Sequence, residues 1–151
     1  MNKPGQSESE TVTAEKSCDD RIYVVTYIYI HFMEQMVKCI LLKDKKGRFV
    51  LACLTGEATL NTQAVRKYED GLARLSFASP EEISTMLGYQ LGSVAPLNLR
   101  QSIPVVLDNQ IKSQTKLNIS SGDPRLGLEL ETETLLNLLD QPIFGDIRKI
   151  G

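Results

Sequence analysis

Two apolar segments joined by a short polar one constrain the fold of this chain most strongly. The segments are residues 36–43 and 48–54, and the connection between them reads Asp-Lys-Lys-Gly. A polar connection of four residues that ends in glycine is typical of a β-hairpin. We therefore predict two antiparallel strands here, and a four-residue turn would place Lys43 opposite Arg48.

The remaining segments predict more strands than helices. Strands are expected at residues 21–32, 72–78, 103–108, 116–119 and 125–130, and helices from Thr59 or Asn61 to about 70, over 80–87, and from Thr132 onward. Ser79, Pro80 and Glu82 have the spacing of a capping box with proline at the first helical position. Because several strands follow one another directly, we predict a mixed α/β fold. Its sheet is expected to be mixed, largely antiparallel and partly closed, with short helices around it.

The length of 151 residues fits one domain. Residues 1–20 are rich in Ser, Glu, Thr and Lys and are predicted to be a disordered leader, which leaves residues 21–151 as a single domain. The most apolar stretch, residues 22–33, is too short to cross a bilayer. The N-terminus has no apolar core of a signal peptide, so we expect a cytoplasmic protein without membrane contact.

The supply of cysteine and histidine limits the chemistry. Cys18, Cys39 and Cys53 form no CxxC pair, and His31 is the single histidine of the chain. We therefore predict no metal site and no disulfide framework, and a histidine-based triad is disfavoured. His31 lies in a strand-like segment, where a core or edge residue explains it better than a catalytic base.

Basic residues are clustered although the net charge is −2. The cluster comprises Lys38, Lys43, Lys45, Lys46, Arg48, Arg66, Lys67 and Arg74. Two interpretations stay open: a solvated hairpin tip and helix face, or a docking patch for one phosphate backbone.

Lys38 is unusual because it lies in a strand that is apolar on both faces. Met36 and Ile40 share its face, and Val37 and Cys39 point to the other face. A lysine in such a strand either extends to water at the strand end or serves as a cation at the mouth of a pocket. If Lys43 pairs with Arg48 across the turn, this hairpin register places Cys53 opposite Lys38, where its small side chain would form part of the pocket wall.

The loop at residues 92–96 has one flexible and one rigid end, Gly92 and Pro96. A segment of this kind usually makes a turn and nothing more. Its alternative use is chemical, because glycine lets the backbone approach a ligand and present amide N–H groups to a carbonyl or an oxyanion.

Five segments together resemble the YbaK family, the prolyl-tRNA-synthetase-associated editing domain. They are QMVKCILL at 35–42, FASPEE at 77–82, GYQLGSVAP at 88–96, IPVVLD at 103–108 and ISSG at 119–122. The resemblance covers about residues 34–147. It implies the hydrolysis of mischarged aminoacyl-tRNA, with no metal or other cofactor. The substrate would be proline tRNA that carries alanine, cysteine or another small residue.

The resemblance also implies site residues. Lys38 would hold the substrate or its 3′ end, and the backbone of Gly92 would position the ester carbonyl. The residues expected to bind substrate are Cys53, Ser93, Val94, Ala95, Pro96, Asp108, Ser121 and Gly122. Aminoacyl-tRNA is the expected partner, with prolyl-tRNA synthetase as a further candidate.

The chain departs from the family pattern in three places. Relatives usually carry an amphipathic helix before the lysine strand, where residues 21–33 of this chain are strand-like. Leu87 replaces the usual threonine, and Leu97-Asn98 replaces a common Phe-Gly. Two alternatives therefore remain: a non-catalytic module that binds tRNA or a synthetase, and an enzyme that acts on another small acyl ester or nucleotide.

Overall fold

The computed structural model describes residues 15–16, 22–26, 33–123 and 125–150, with side chains from residue 34 onward. His31, Cys18 and most of the predicted leader lie outside the described residues. Among the residues described, no helix is long and apolar enough to cross a membrane.

A five-stranded sheet contains the predicted hairpin. Its strands are β3 (Val37–Asp44), β4 (Phe49–Thr55), β5 (Leu75–Phe77), β6 (Val105–Asp108) and β9 (Ile143–Gly145), in the order β5-β3-β4-β6-β9. Strand β3 pairs antiparallel with both β4 and β5. The pairs β4–β6 and β6–β9 are parallel, so the sheet is mixed.

A second sheet has four strands among the described residues, and all of their pairings are antiparallel. It contains β1 (Glu15–Lys16), β2 (Ile22–Thr26), β7 (Lys116–Ser120) and β8 (Leu126–Glu131), in the order β1-β2-β8-β7. A parallel bridge between Met36 and Asn118 joins the two sheets at the start of β3. The predicted fold class, a mixed and largely antiparallel α/β fold with short helices, is confirmed.

In the part of the chain that the structure describes, three short α-helices surround the sheets. They are α1 (Thr62–Val65), α2 (Pro80–Leu87) and α3 (Thr132–Leu138), and 3₁₀ turns occur at Met33–Gln35 and Asn109–Ser113. The predicted capping box of α2 is confirmed, because Ser79 and Glu82 each accept a hydrogen bond from the backbone of the other. Asn61 caps α1, but that helix ends well before residue 70. There the backbone bonds shift to the tighter i→i−3 pattern, as in Tyr68 N–H to the Val65 carbonyl at 3.1 Å.

The hairpin strands are buried on both faces, as their sequence predicts. One face contributes Leu41, Leu51 and Cys53 to a core cluster that includes Ile83 and Leu87 of α2. The other face packs in a separate cluster, with members Leu42, Val50, Ala52, Leu54, Leu60, Ala64, Val65, Leu72, Leu75, Val106 and Ile147. A polar side chain on β3 therefore needs a partner or an outlet to solvent.

The predicted hairpin register is wrong by one residue. Lys43 pairs with Phe49 instead of Arg48, so Lys38 lies opposite Leu54 and Cys53 lies opposite Cys39. The cause is the buried carboxylate of Asp44, whose Oδ1 accepts from the backbone N–H groups of Lys46 and Arg48 at 2.9 and 2.8 Å. These bonds close a three-residue loop, where the sequence suggested four.

Candidate functional site

A cavity of about 540 Å³ lies beside β3, near the start of α2 and the 92–96 loop. Its lining residues are Met36, Val37, Lys38, Cys39, Ile40, Leu41, Phe77, Ala78, Ile83, Leu91, Gly92, Val94 and Ser120. The structure therefore brings three of the predicted site residues to one place: Lys38, Gly92 and Val94.

The cavity runs along an edge of β3. Met36 and the first five residues of this strand line it, although the side chains of the strand alternate between the two faces. Strand β5 pairs with β3 from Leu42 to Asp44, and Ala78 N–H reaches the Leu41 carbonyl at 3.0 Å. Among the described residues, no strand pairs with this edge from Lys38 to Ile40, and β7 approaches the start of β3 through the Met36–Asn118 bridge. The first half of β3 therefore faces the cavity edge-on.

The hydrogen-bond alternation of the hairpin determines which backbone groups face this edge. Asp44 N–H donates to Arg48, and Gly56 N–H donates to Met36, so even-numbered residues of β3 bond to β4. Odd-numbered residues of an antiparallel strand then point the other way. The backbone N–H and carbonyl of Cys39 are thus directed at the cavity.

Lys38 lies at the cavity with its ammonium bound to a loop. Its Nζ donates to the backbone carbonyl of Ala58, just after β4. An ammonium has three N–H donors, and one carbonyl engages one of them. The cation is therefore held in place and keeps donor capacity for a ligand.

The 92–96 loop turns tightly after α2. Gly92 has φ = +88°, and a Cβ placed on it would meet nothing within 4 Å, so backbone conformation and not space favours glycine here. Ser93 N–H donates to the Gln90 carbonyl at 2.9 Å. Residues 93–96 are all buried. Of these four, Val94 lines the cavity, while the other three anchor the loop.

Two large apolar side chains remain exposed where they line the cavity. Phe77 ends β5 and is 66% exposed, and Leu91 precedes the 92–96 loop and is 67% exposed. Apolar side chains this exposed on a small domain mark a contact surface when they are grouped around a concavity.

Besides Ser93, Ala95 and Pro96, four predicted binding residues lie outside the cavity lining: Cys53, Asp108, Ser121 and Gly122. Cys53 is fully buried, and burial raises the pKa of its thiol. Ser121 forms a turn, because its hydroxyl donates to the Leu126 carbonyl at 2.7 Å and accepts from Asp123 N–H. Gly122 lies beneath the ring of Tyr89, where a Cβ would come within 3.1 Å of the ring.

Asp108 occupies a closed network. Its side chain is 1% exposed and its Oδ2 lies 2.7 Å from Nη2 of Arg148. The backbone N–H groups of Gln110 and Ile147 donate to its two oxygens at 3.2 and 3.1 Å. Arg148 also donates to Thr55 Oγ1. This carboxylate ties the ends of β4, β6 and the C-terminal segment together.

We expect Asp108→Ala to lower the free energy of unfolding by about 3 kcal/mol, because the change leaves Arg148 and two N–H groups without their acceptor. Urea unfolding followed by circular dichroism measures the effect. Asp123→Ala, which removes a carboxylate paired with the exposed Arg125, is the matched control and should change stability much less. Equal effects would contradict the assigned role of Asp108.

Sequence reasoning missed four cavity residues that carry distinct chemistry. Cys39 and Ser120 bring small polar groups, and Phe77 and Leu91 bring exposed apolar surface. Of these, Cys39 could have been predicted from the sequence, because it follows Lys38 directly in the strand that the sequence analysis singled out. Within the described part of the chain, no group of three His, Cys, Asp or Glu side chains is arranged to hold a metal ion.

The chain is similar to known proteins in both sequence and fold. Residues 31–138 match the family described as the aminoacyl-tRNA editing domain. A proline–tRNA ligase from Albidiferax ferrireducens is 28% identical over 98% of the chain, and one from Lactiplantibacillus plantarum is 28% identical over 60%. The chain spans 28% and 16% of the lengths of these two ligases.

The fold also has a close structural counterpart. The crystal structure of a proposed trans-editing enzyme for prolyl tRNA synthetase superposes with a TM-score of 0.70 at 24% identity. The match covers 78% of this chain and 73% of the other. Because the family match extends over more than half of the residues, the resemblance predicted from five sequence segments is confirmed. The chain belongs to the aminoacyl-tRNA editing domain family.

Proposed function

We propose that this domain hydrolyses the ester of mischarged aminoacyl-tRNA, with proline tRNA carrying alanine, cysteine or another small residue as the substrate. The observation that carries the proposal is that Lys38, Gly92 and Val94 line one and the same cavity. Its volume of about 540 Å³ is in the range of small-ligand sites, so it offers room for the aminoacyl group and part of the terminal adenosine.

The amino acid would lie along the edge of β3. The Cys39 backbone supplies one donor and one acceptor there, and the apolar side chains of Val37, Leu41 and Ile83 form the surrounding wall. These groups would bind the polar atoms and the small side chain of the substrate. A pocket of this kind excludes larger residues by size, the second sieve of double-sieve editing.

The reaction would be the attack of water on the ester carbonyl. The water oxygen bonds to the carbonyl carbon, the C–O bond to the ribose breaks, and a proton from the water passes to the ribose oxygen. The Gly92 N–H would stabilise the negative charge on the carbonyl oxygen. A neighbouring ribose hydroxyl would orient the water, so positioning supplies most of the rate enhancement.

Lys38 would hold the 3′ end of the tRNA. Its ammonium is tethered to Ala58 and retains donors for a ribose oxygen or a phosphate. The position of Lys38 on the cavity wall places this cation next to the backbone groups proposed to bind the amino acid.

Phe77 would stack on the terminal adenine. We expect Phe77→Ala to weaken binding of a non-hydrolysable aminoacyl-adenosine analogue about tenfold, because stacking of a base on an aromatic ring contributes about 1–3 kcal/mol. Isothermal titration calorimetry gives the affinity. Leu138→Ala, which also truncates an exposed apolar side chain but one outside the cavity lining, is the control and should bind like wild type. Equal affinity of Phe77→Ala and wild type would refute stacking.

The basic cluster would contact the phosphates of the acceptor stem. Lys45, Lys46, Lys67 and Arg74 are exposed. Lys43 is engaged by Glu82 at 2.6 Å and Arg48 by Glu69 at 3.5 Å, which leaves a smaller set of cations than the sequence suggested. Binding through a few phosphates should weaken steadily as salt concentration rises.

A non-catalytic binding module is the second candidate. The observation that favours it is β2, since Ile22–Thr26 pairs with β8 as a strand where relatives usually carry an amphipathic helix. This module would bind an acceptor stem or a synthetase without turnover.

A panel of mischarged tRNAs separates the two candidates. Each charged tRNA is incubated with purified protein, and the remaining aminoacyl ester and the bound fraction are measured in parallel. The editing function predicts loss of the ester from at least one proline tRNA that carries a small residue other than proline. Tight binding without loss of ester from any member supports the module instead. If free aminoacyl-adenosine is hydrolysed as fast as aminoacyl-tRNA, the protein would instead be an enzyme that acts on another small ester.

A further inference from the structure

Two thiols face each other across the β3–β4 ladder. Cys39 and Cys53 are directly opposite, and their Sγ atoms lie 3.2 Å apart. The alternation of the ladder makes this a non-hydrogen-bonded pair, whose Cα atoms are typically about 4.5 Å apart. That separation is within the range of about 4.4–6.8 Å that disulfides span. The backbone is therefore already in place for a cross-strand disulfide.

The two thiols differ in access. Cys39 is half-buried and lines the cavity, whereas Cys53 is 0% exposed in the core behind it. Burial, together with the adjoining Cys39 thiol, raises the pKa of Cys53 well above its ordinary value. A small oxidant that enters the cavity thus meets Cys39 first, and Cys53 is held within reach to resolve the product.

We propose that Cys39 and Cys53 are a redox pair that closes to a reversible disulfide in the presence of a hydroperoxide. With hydrogen peroxide, the Cys39 thiolate attacks one peroxide oxygen and the O–O bond breaks. The leaving hydroxide takes up the proton that the thiol released, which gives the sulfenic acid of Cys39 and one water. The Cys53 sulfur then attacks the Cys39 sulfur, the S–OH bond breaks, and a second water leaves with the thiol proton. Both sulfurs are oxidised, the peroxide is reduced, and a dithiol restores the two thiols.

The disulfide would change the shape of the cavity wall that contains Cys39. Its S–S length of about 2.05 Å requires the two sulfurs to approach by roughly 1 Å. Cys39 is adjacent to Lys38 and its backbone faces the cavity, so oxidation changes the wall against which a ligand packs. Formation of the bond does not depend on the proposed deacylation. Any resulting change in turnover does, and it is measured separately.

The test uses the full chain with Cys18→Ser, which leaves two cysteines. After treatment with hydrogen peroxide, thiols are titrated in denaturant and the intact mass is measured. The pair predicts that titratable thiols fall from two to none, that the mass decreases by two hydrogen atoms, and that dithiothreitol reverses both changes. Peptide mapping should place the bond between Cys39 and Cys53 within one chain.

Two variants that each keep one cysteine of the pair test which thiol the peroxide oxidises first. In Cys18→Ser/Cys53→Ala, a 1,3-dicarbonyl reagent should trap a sulfenic acid at Cys39. In Cys18→Ser/Cys39→Ala, the buried Cys53 should react at least about tenfold more slowly. Thiols that survive peroxide but alkylate in denaturant would overturn the proposal. So would a bond formed between two chains, or equal reaction rates of the two variants. Deacylation by the oxidised and reduced forms is then compared, and equal rates would remove the link to the cavity while leaving the disulfide established.

Discussion

Lys38→Ala should lower kcat/KM for deacylation of mischarged proline tRNA by about 10²-fold, the effect of removing one well-placed donor from a site that works by positioning. The change also removes the bond to the Ala58 carbonyl, so the ammonium is lost along with its tether. Single-turnover and steady-state deacylation of radiolabelled alanyl-tRNA measure the effect. Since the Ala58 carbonyl belongs to a loop, we expect little change in the urea unfolding midpoint.

Two further variants define what Lys38 contributes. Lys38→Arg keeps the cation and should recover part of the activity, whereas Lys38→Met keeps the apolar stem and should behave like Lys38→Ala. Lys116→Ala removes an exposed strand lysine that does not line the cavity and should deacylate like wild type. Full activity of Lys38→Ala would contradict the proposed role.

Gly92→Ala should reduce deacylation about tenfold or more, because the loop must present its N–H at a backbone conformation that a side chain disfavours. The chain offers a matched control. Gly47 has φ = +87°, nearly the same as the +88° of Gly92, and an added Cβ meets nothing within 4 Å at either position.

Gly47→Ala should therefore cost as much stability as Gly92→Ala, about 1 kcal/mol in each case, without affecting deacylation. Urea unfolding and deacylation are measured on both proteins. A loss of activity common to both variants would attribute the effect to stability and not to the 92–96 loop.

The elements that sequence predicts well are those determined by local bonds. The capping box of α2 depends on Ser79, Pro80 and Glu82, which lie within four consecutive residues and bond to each other. Helix α1 shows the opposite case: its cap at Asn61 was predicted, but its early end, where the backbone bonds change to the i→i−3 pattern, was not. Strand β9 has three residues and pairs in parallel with the distant β6, so its short sequence carries no distinguishing pattern.

The site also contains features that the sequence predicted and features that it did not. Alternation along β3 singled out Lys38, which lines the cavity in the structure. The register that assigned Cys53 to the Lys38 face failed because the Asp44 carboxylate, which binds two turn N–H groups, shortened the loop by one residue. Phe77 was not predicted as a site residue, because its exposure depends on where β5 stops pairing with β3.

The central claim is that the cavity beside β3 hydrolyses the ester of a mischarged tRNA. The most direct measurement is the single-turnover rate of ester loss from alanyl-tRNA and from prolyl-tRNA, both built on proline tRNA, with the protein in excess. The account predicts that alanyl ester loss is much faster than spontaneous hydrolysis and that the prolyl ester is spared. Rates for both esters equal to those without protein would contradict it.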